Sequence, residues 1–210
     1  MRRALATFAI GSRYAALLNV ARPLMREYAG QHGYVFVERV PHVQTRPASW
    51  LKVPLLLDLL SRFHEVLWLD CDVVIVESDW DIADDVPDDD WQALVRHHTP
   101  DGEVPNCGVW YVRRAMTTTL AQMWAMSEYR DHVWWEQAAM LDLLGYAGRP
   151  LQLDSPSELY ARTCWLGLEW NSHEERDRHP SPRFAHATSG PIDWRLDVMT
   201  RYAERSSTHA

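Results

Sequence analysis

The stretch that decides the fold is Glu65-Val66-Leu67-Trp68-Leu69-Asp70-Cys71-Asp72-Val73-Val74-Ile75-Val76. A strand-length apolar run over residues 65–69 leads straight into two aspartates, and apolar chain resumes at Val73. A run this apolar belongs inside a protein. Two carboxylates at its end repel each other and are poorly solvated. A divalent cation removes both problems, and oxygen ligands favour Mg2+ or Mn2+. In open α/β sheets, ligands bind beyond the carboxyl ends of the strands, where Asp70 and Asp72 fall. Such an ion keeps positions open for substrate phosphates, so a nucleoside diphosphate is the substrate class suggested. The acidic segment at residues 78–90 also pairs carboxylates, at Asp84-Asp85 and Asp88-Asp89-Asp90. Those sit among polar residues and Pro87, which reads as a solvated loop.

Working outward, residues 4–10 form a compact apolar run closed by Gly11-Ser12, which predicts a buried strand. Ser12 is a candidate helix cap. Tyr14, Leu17, Leu18, Ala21, Met25 and Tyr28 follow at helical spacing, with Pro23 a candidate kink. Gly30 and Gly33 end this helix, and residues 34–40 read as a second strand. Strand, helix and strand in succession are the signature of a parallel α/β unit. Residues 41–49 read as a loop and 50–62 as a helix with Pro54 in its first turn. Residues 92–97, 109–113, 151–153 and 183–187 read as strands, and 115–129, 136–144 and 193–204 as helices. No internal repeat or linker interrupts the chain, so residues 1–205 are expected to form one domain and 206–210 a frayed tail.

Composition narrows the function. At 210 residues the chain suits one sizeable domain, and 47% hydrophobic with 24% charged residues excludes disorder for its body. A net charge of -8 argues against nucleic acid and anionic membranes as partners. Met1-Arg2-Arg3 and the apolar run behind it superficially resemble a signal peptide, but the run stops at Gly11-Ser12-Arg13. No run approaches the roughly 20 apolar residues of a membrane span. Cys71, Cys107 and Cys164 are odd in number and widely spaced, which fits neither a disulfide framework nor a zinc site. The cytoplasm is therefore the expected compartment. The 11 tryptophans imply an aromatic core or an aromatic-walled cleft. For Trp134, Trp135, Trp165 and Trp170 the core is the default, with a cleft wall the alternative for one or two.

Two enzyme classes place Asp-x-Asp after a strand. Asp70-Cys71-Asp72-Val73-Val74 fits the opening motif of haloacid-dehalogenase-type phosphatases, where the first aspartate is a nucleophile. That class needs a later lysine and a second acidic motif. Lys52 is the only lysine in the chain and precedes the strand, which counts against it.

The other class is the metal-dependent nucleotide-diphospho-sugar glycosyltransferases, which the chain resembles over most of its length. It looks most like the retaining family of galactosyl-, mannosyl- and xylosyltransferases, and more distantly like glycogenin-type enzymes. The matching residues stand in the family's order. Ile10-Gly11-Ser12 ends the first strand, and Tyr28-Ala29-x-x-His32-Gly33-Tyr34 precedes the second. Lys52 opens the helix before Trp68-Leu69-Asp70-Cys71-Asp72. Then come Asn106-Cys107-Gly108, Trp135-Glu136-Gln137, Trp170-Asn171 and His186. Asp-x-Asp and Asn-x-Gly are weak signals alone; their shared order and spacing make the case.

The resemblance implies a single Rossmann-like GT-A domain, an α/β fold with a central mixed, mostly parallel sheet flanked by helices. It implies Mn2+ or Mg2+ held by Asp70, Asp72 and His186. Ile10, Gly11, Ser12, Lys52, Asp70, Cys71, Asn106, Gly108 and Gly190 would contact the donor, and Glu136 and Gln137 would be catalytic. The implied reaction moves a sugar from a nucleoside-diphosphate sugar, with a UDP-sugar expected, to an acceptor hydroxyl with retention. One route is same-face attack with the leaving phosphate taking the acceptor proton. The other is a two-step displacement through a carboxylate. Glutamine is a poor nucleophile, which favours the first route, and Glu136 keeps the second open. Glycogenin-like enzymes follow the ligand histidine with a glycine and a lysine that grip the diphosphate. Here Gly190 lies four residues beyond His186 and Asp193 stands near the lysine's place, leaving Arg195 or Lys52 to supply that charge. A phosphohydrolase and an inactive nucleotide-sugar-binding module are the competing readings.

Overall fold

The computed structural model describes residues 1–42, 45–100, 102–148 and 150–206. Strand β1 (Arg3–Thr7) leads to helix α1 (Ser12–Gln31) and back to β2 (Tyr34–Glu38), which pairs parallel to β1. Helix α2 (Lys52–Leu60) precedes β3 (Glu65–Leu69), which is parallel to the other side of β1. After the aspartates come β4 (Val73–Ile75), β5 (Gln92–Thr99) and β6 (Gly102–Arg113). Helices α3 (Thr117–Ala125) and α4 (Trp135–Leu144) follow, then a two-strand ribbon of β7 (Tyr146–Ala147) and β8 (Gln152–Leu153). The chain continues through α5 (Glu158–Ala161), β9 (Thr163–Leu166), β10 (Ser172–His173), β11 (Phe184–His186) and α6 (Ile192–Ser206).

The main sheet has the order β2-β1-β3-β6-β5-β9. Strand β6 runs against both neighbours, and the other five share one direction. The sheet is therefore mixed and mostly parallel, as expected. Every residue of β3 is buried, and alternate side chains serve opposite faces. Leu67 and Leu69 join Leu17, Met25 and Val198 on the α1 and α6 side. Val66 and Trp68 join Leu56, Trp110 and Leu120 on the α2 and α3 side. A second, three-stranded sheet, β10-β11-β4, sits beyond the end of β3. Its register sets His186 opposite Val73, one residue past Asp72.

Several elements depart from the sequence reading for physical reasons. The strand expected over residues 4–10 ends at Thr7, and Ile10 leaves the sheet partly exposed. Ser12 does not cap α1; Gly11 holds the cap position at φ +84, and no side chain bonds there. The helix runs on through Pro23. The strand expected at 109 begins at Gly102, because Pro105, Asn106 and Gly108 lie within a bulged strand rather than a turn. The helix expected over 115–129 stops at Ala125, where Met126 turns extended. The acidic segment is anchored rather than loose: Ile82 is buried, and Asp81 is bonded to Arg3 and Tyr34. Strand β9 carried no assigned element. Helix α6 reaches Ser206, and the rest of the expected tail, 207–210, lies outside the described residues. No helix among the described residues is long and apolar enough to cross a membrane.

Trp50, Trp68, Trp110 and Trp170 are core residues. Trp170 packs edge-on against Phe184 at 5.1 Å and donates its Nε1–H to Asp85 at 2.8 Å. Replacing Trp170 with alanine should lower unfolding stability in urea by about 3–5 kcal/mol. A loss under about 1 kcal/mol would place the ring outside the core.

Candidate active site

Three backbone registers assemble the site. Asp70 leaves β3 with its N–H bonded to the Gly108 carbonyl at 2.8 Å. Asp72 is tied to the far strand by the Ala187 N–H, 3.1 Å from its carbonyl. His186 ends β11. Ligand atoms from Asp70, Asp72 and His186 lie within 4.8 Å of one another, close enough to share one cation.

The surrounding amides fix the histidine. Asn171 donates its side-chain N–H to Asn106 Oδ1 at 2.9 Å, so its own Oδ1 faces His186 Nδ1 at 2.9 Å. The imidazole proton then belongs on Nδ1, and the Nε2 lone pair faces Asp72 Oδ1 at 3.4 Å. Two acceptors this close need a cation or a proton between them. The donor set of two carboxylates and one imidazole suits Mn2+ or Mg2+. Gly108 makes room for the ring. A Cβ there would lie 2.1 Å from His186 Cε1 and 2.8 Å from Asn106 Oδ1.

The protein's own cations balance the rest of the charge. The Lys52 ammonium is buried and donates to Asp70 Oδ1 at 2.9 Å and the Cys107 carbonyl at 3.3 Å. It also pairs with Glu136 Oε1 at 2.9 Å. Burial alone would lower its pKa, but Asp70 and Glu136 outweigh burial and raise it, so the amine stays charged. Burial likewise pushes the Glu136 carboxyl up, against the pull of Lys52. Arg195 on α6 donates to Asp72 Oδ2 at close range. Burial would raise the Asp72 pKa; His186 and Arg195 hold it below the usual carboxylate range. Each aspartate thus gives one oxygen to a protein cation and keeps the other for a ligand.

Two clefts meet at this point. The first, of about 380 Å3, is lined by Phe8, Ile10, Tyr14, Cys71, Asp72 and Arg195. The second, of about 270 Å3, is lined by Asn106, Gly108, Glu136, Gln137, His97, His173 and Trp134. Gln137 Oε1 accepts from Asn106 Nδ2 at 3.1 Å and from the Cys107 N–H at 3.2 Å. This fixes the amide and orients its Nε2.

Most of the site residues read from sequence converge here: Ile10, Lys52, Asp70, Cys71, Asp72, Asn106, Gly108, Glu136, Gln137 and His186. Others do not. Gly11 and Ser12 lie between the lining residues Ile10 and Tyr14 rather than on the cleft wall. Gly190, at φ +90, shapes the turn into α6 while Thr188 and Ser189 face the clefts. Lys52 lines both clefts and also bonds to Asp70, Glu136 and Cys107. Sequence reading missed His97 and His173, whose buried rings stack at 3.6 Å against the second cleft. They sit on strands brought together only by the fold, so no local signal marks them.

The sequence profile of the nucleotide-diphospho-sugar transferases matches residues 19–169, and the chain belongs to that family. It is 30% identical over 69 residues to an uncharacterized α-1,2-galactosyltransferase of Schizosaccharomyces pombe. That match spans 29% of this chain and 18% of the yeast protein. Among solved structures, it resembles a glycosyltransferase involved in glycosylation of the major capsid of PBCV-1. The TM-score is 0.73 at 16% identity, over 95% of this chain and 99% of the other. The galactosyltransferase LgtC, solved with donor and acceptor sugar analogs, aligns with a TM-score of 0.56 at 16% identity over 95% of both chains. Mouse xyloside xylosyltransferase 1 aligns with a TM-score of 0.52 at 11% identity, over 91% of this chain and 100% of the other. The GT-A architecture expected from the resemblance is the fold of this chain.

Substituting Gly108 with alanine should weaken Mn2+ binding, read by calorimetry, by about tenfold or more, because the added methyl displaces His186. Unchanged affinity would remove His186 from the ligand set. A second prediction concerns pH. Burial pushes the His97 pKa down to about 3 from 6.5. Below pH 6.5 the unfolded chain protonates this histidine and the folded chain does not, so stability falls as pH drops. Denaturant midpoints should fall between pH 7 and about 5 in the wild type and fall less in His97→Phe. Parallel curves would show that His97 is not held neutral.

Proposed function

We propose that this protein is a metal-dependent glycosyltransferase that moves a sugar from a UDP-sugar to an acceptor hydroxyl with retention. The observation that carries this reading is the Asp70–Asp72–His186 triad, whose Asp70 borders two adjoining clefts; in this reading one cleft takes the nucleotide and the other the acceptor. Bound there, Mn2+ or Mg2+ would supply the positive charge that neutralises the departing diphosphate. In this reading Ile10 and Tyr14 wall the nucleoside. Arg195 stands beside Asp72 with a fork of further N–H donors, and it takes the charge role that Asp193 cannot.

Gln137 is placed to stabilise positive charge at the anomeric carbon, its amide held rigid by Asn106 and Cys107. Glu136 is buried and its Oε1 is engaged by Lys52, which supports same-face attack over a covalent glutamyl intermediate. The α-linkage named for the yeast relative agrees with retention from an α-linked donor. The three free cysteines agree with a reducing, cytoplasmic setting. Family membership and the engagement of Asp70 Oδ1 by Lys52 and Trp68 weigh against a phosphohydrolase with Asp70 as nucleophile.

A panel of UDP-sugars supplies the test. Wild-type protein with Mn2+ should slowly release UDP from at least one of them, and both EDTA and His186→Ala should abolish the release. UDP affinity that is equal with and without Mn2+ would overturn the metal assignment. An inverted product anomer by NMR would overturn retention.

A further inference from the structure

Five residues border both clefts: Ser49, Lys52, Asp70, Trp135 and Thr188. Any ligand that spans the clefts must pass between them. On the nucleotide-sugar reading above, the group at that junction is the sugar being transferred. Its phosphate ester lies on the Asp72 side, and its anomeric carbon faces Gln137. Four of the five bordering residues are polar or charged. Trp135 alone offers a broad apolar face.

Trp135 is unusual in two further ways. The residue is 42% exposed; among the described tryptophans only Trp80, away from both clefts, is more exposed, and four are fully buried. Its φ is +46, the only positive value for a non-glycine residue among the described residues. A left-handed backbone is strained for a bulky side chain, and such strain persists where function holds it. The local hydrogen bonding is intact, with the Trp135 N–H on the His132 carbonyl at 2.9 Å and the Gln137 N–H on the Trp134 carbonyl at 3.0 Å. The strained turn does not bury the indole; it presents the indole at the cleft junction, one residue before Glu136.

We propose that Trp135 is the platform for the donor sugar, stacking its indole on the C–H face of an uncharged pyranose. The absence of charge follows from the same border. Its one cation, Lys52, is already matched by Asp70 and by Glu136 of the second cleft, so the border offers an acidic sugar no unpaired positive charge.

This inference rests on the nucleotide-sugar reading, and the experiment separates the two. Calorimetry with Mn2+ measures UDP, UDP-glucose, UDP-galactose and UDP-glucuronic acid against wild type, Trp135→Ala, Trp135→Phe and Trp135→Gly. Trp135→Ala should weaken the better-bound neutral sugar nucleotide by about fivefold or more. It should change UDP affinity less than about twofold, and Trp135→Phe should retain most of the sugar affinity. UDP-glucuronic acid should bind the wild type less tightly than either neutral sugar nucleotide. Because glycine tolerates positive φ and alanine does not, Trp135→Gly should melt above Trp135→Ala, the reverse of the order inside a relaxed helix. Equal losses for UDP and sugar nucleotide, no loss at all, tighter binding of the acidic sugar, or Trp135→Ala melting above Trp135→Gly would each overturn the inference. Wild-type protein that binds none of the four would overturn the nucleotide-sugar reading and this inference with it.

Discussion

Asp70 and Asp72 end a strand that is buried along its whole length, and much of the surrounding structure supplies charge to them. Asp72 is buried and Asp70 is partly buried, and a carboxylate brought out of water costs several kcal/mol unless paired. Lys52 comes from the first turn of α2, which packs beside β3, and reaches Asp70 from one side. Arg195 comes from α6, more than a hundred residues later, and reaches Asp72 from the other. Both helices are therefore fixed by packing and by electrostatics at once. Helix α6 packs on α1 in the core and delivers a guanidinium to the site from the same turns. That coupling ties the end of the described chain to its chemical centre.

A second line of polar contacts joins the Asp70–Asp72–His186 cluster to the second cleft. The register break between Ala93 and Val95 bulges β6 and aims Asn106 and Gly108 at the site. Asn106 then bonds to Gln137, to Asn171 and to the Gly108 N–H. Asn171 passes the orientation on to His186. A single side chain thus helps set the His186 ring beside Asp72 and the amide that faces the second cleft. Such shells outside the ligands determine how firmly a site is held.

Local pattern made much of this legible. The β1–α1–β2 unit follows from a short apolar run, a helical period and two glycines. Asp70 and Asp72 stand out because an apolar strand leads into them. His186, Asn106, Glu136 and Gln137 were legible only through resemblance and order, since none carries a local signature of its role. What escaped sequence reading depends on pairing between distant segments. The bulge in β6 arises from its partner β5, so residues 102–108 were not legible as strand. Strand β9 exists because β5 offers it an edge. His97 and His173 stack only after β5 and β10 meet. The pairing of Lys52 with Glu136 escaped for the same reason, since the two lie 84 residues apart.

The other aspartates show why composition alone could not find the site. Asp81 is as buried as a ligand would be, yet its oxygens are used up by the protein. Oδ1 accepts from Tyr34 at 2.7 Å and from the Ala83 N–H at 3.1 Å, and Oδ2 accepts from Arg3 at 2.6 Å. Asp85 is bonded to Trp170 and Arg183 and anchors the acidic segment to the second sheet. These residues have the same chemistry as Asp70 and Asp72 and a different remaining capacity. At the end of β3 the protein satisfies one oxygen of each carboxylate and leaves the second for a ligand. On the metal-dependent reading proposed above, burial of Asp72 supplies the need for a cation, and the incomplete pairing of both aspartates supplies the room for one. A buried aspartate that meets only the first condition is a structural residue.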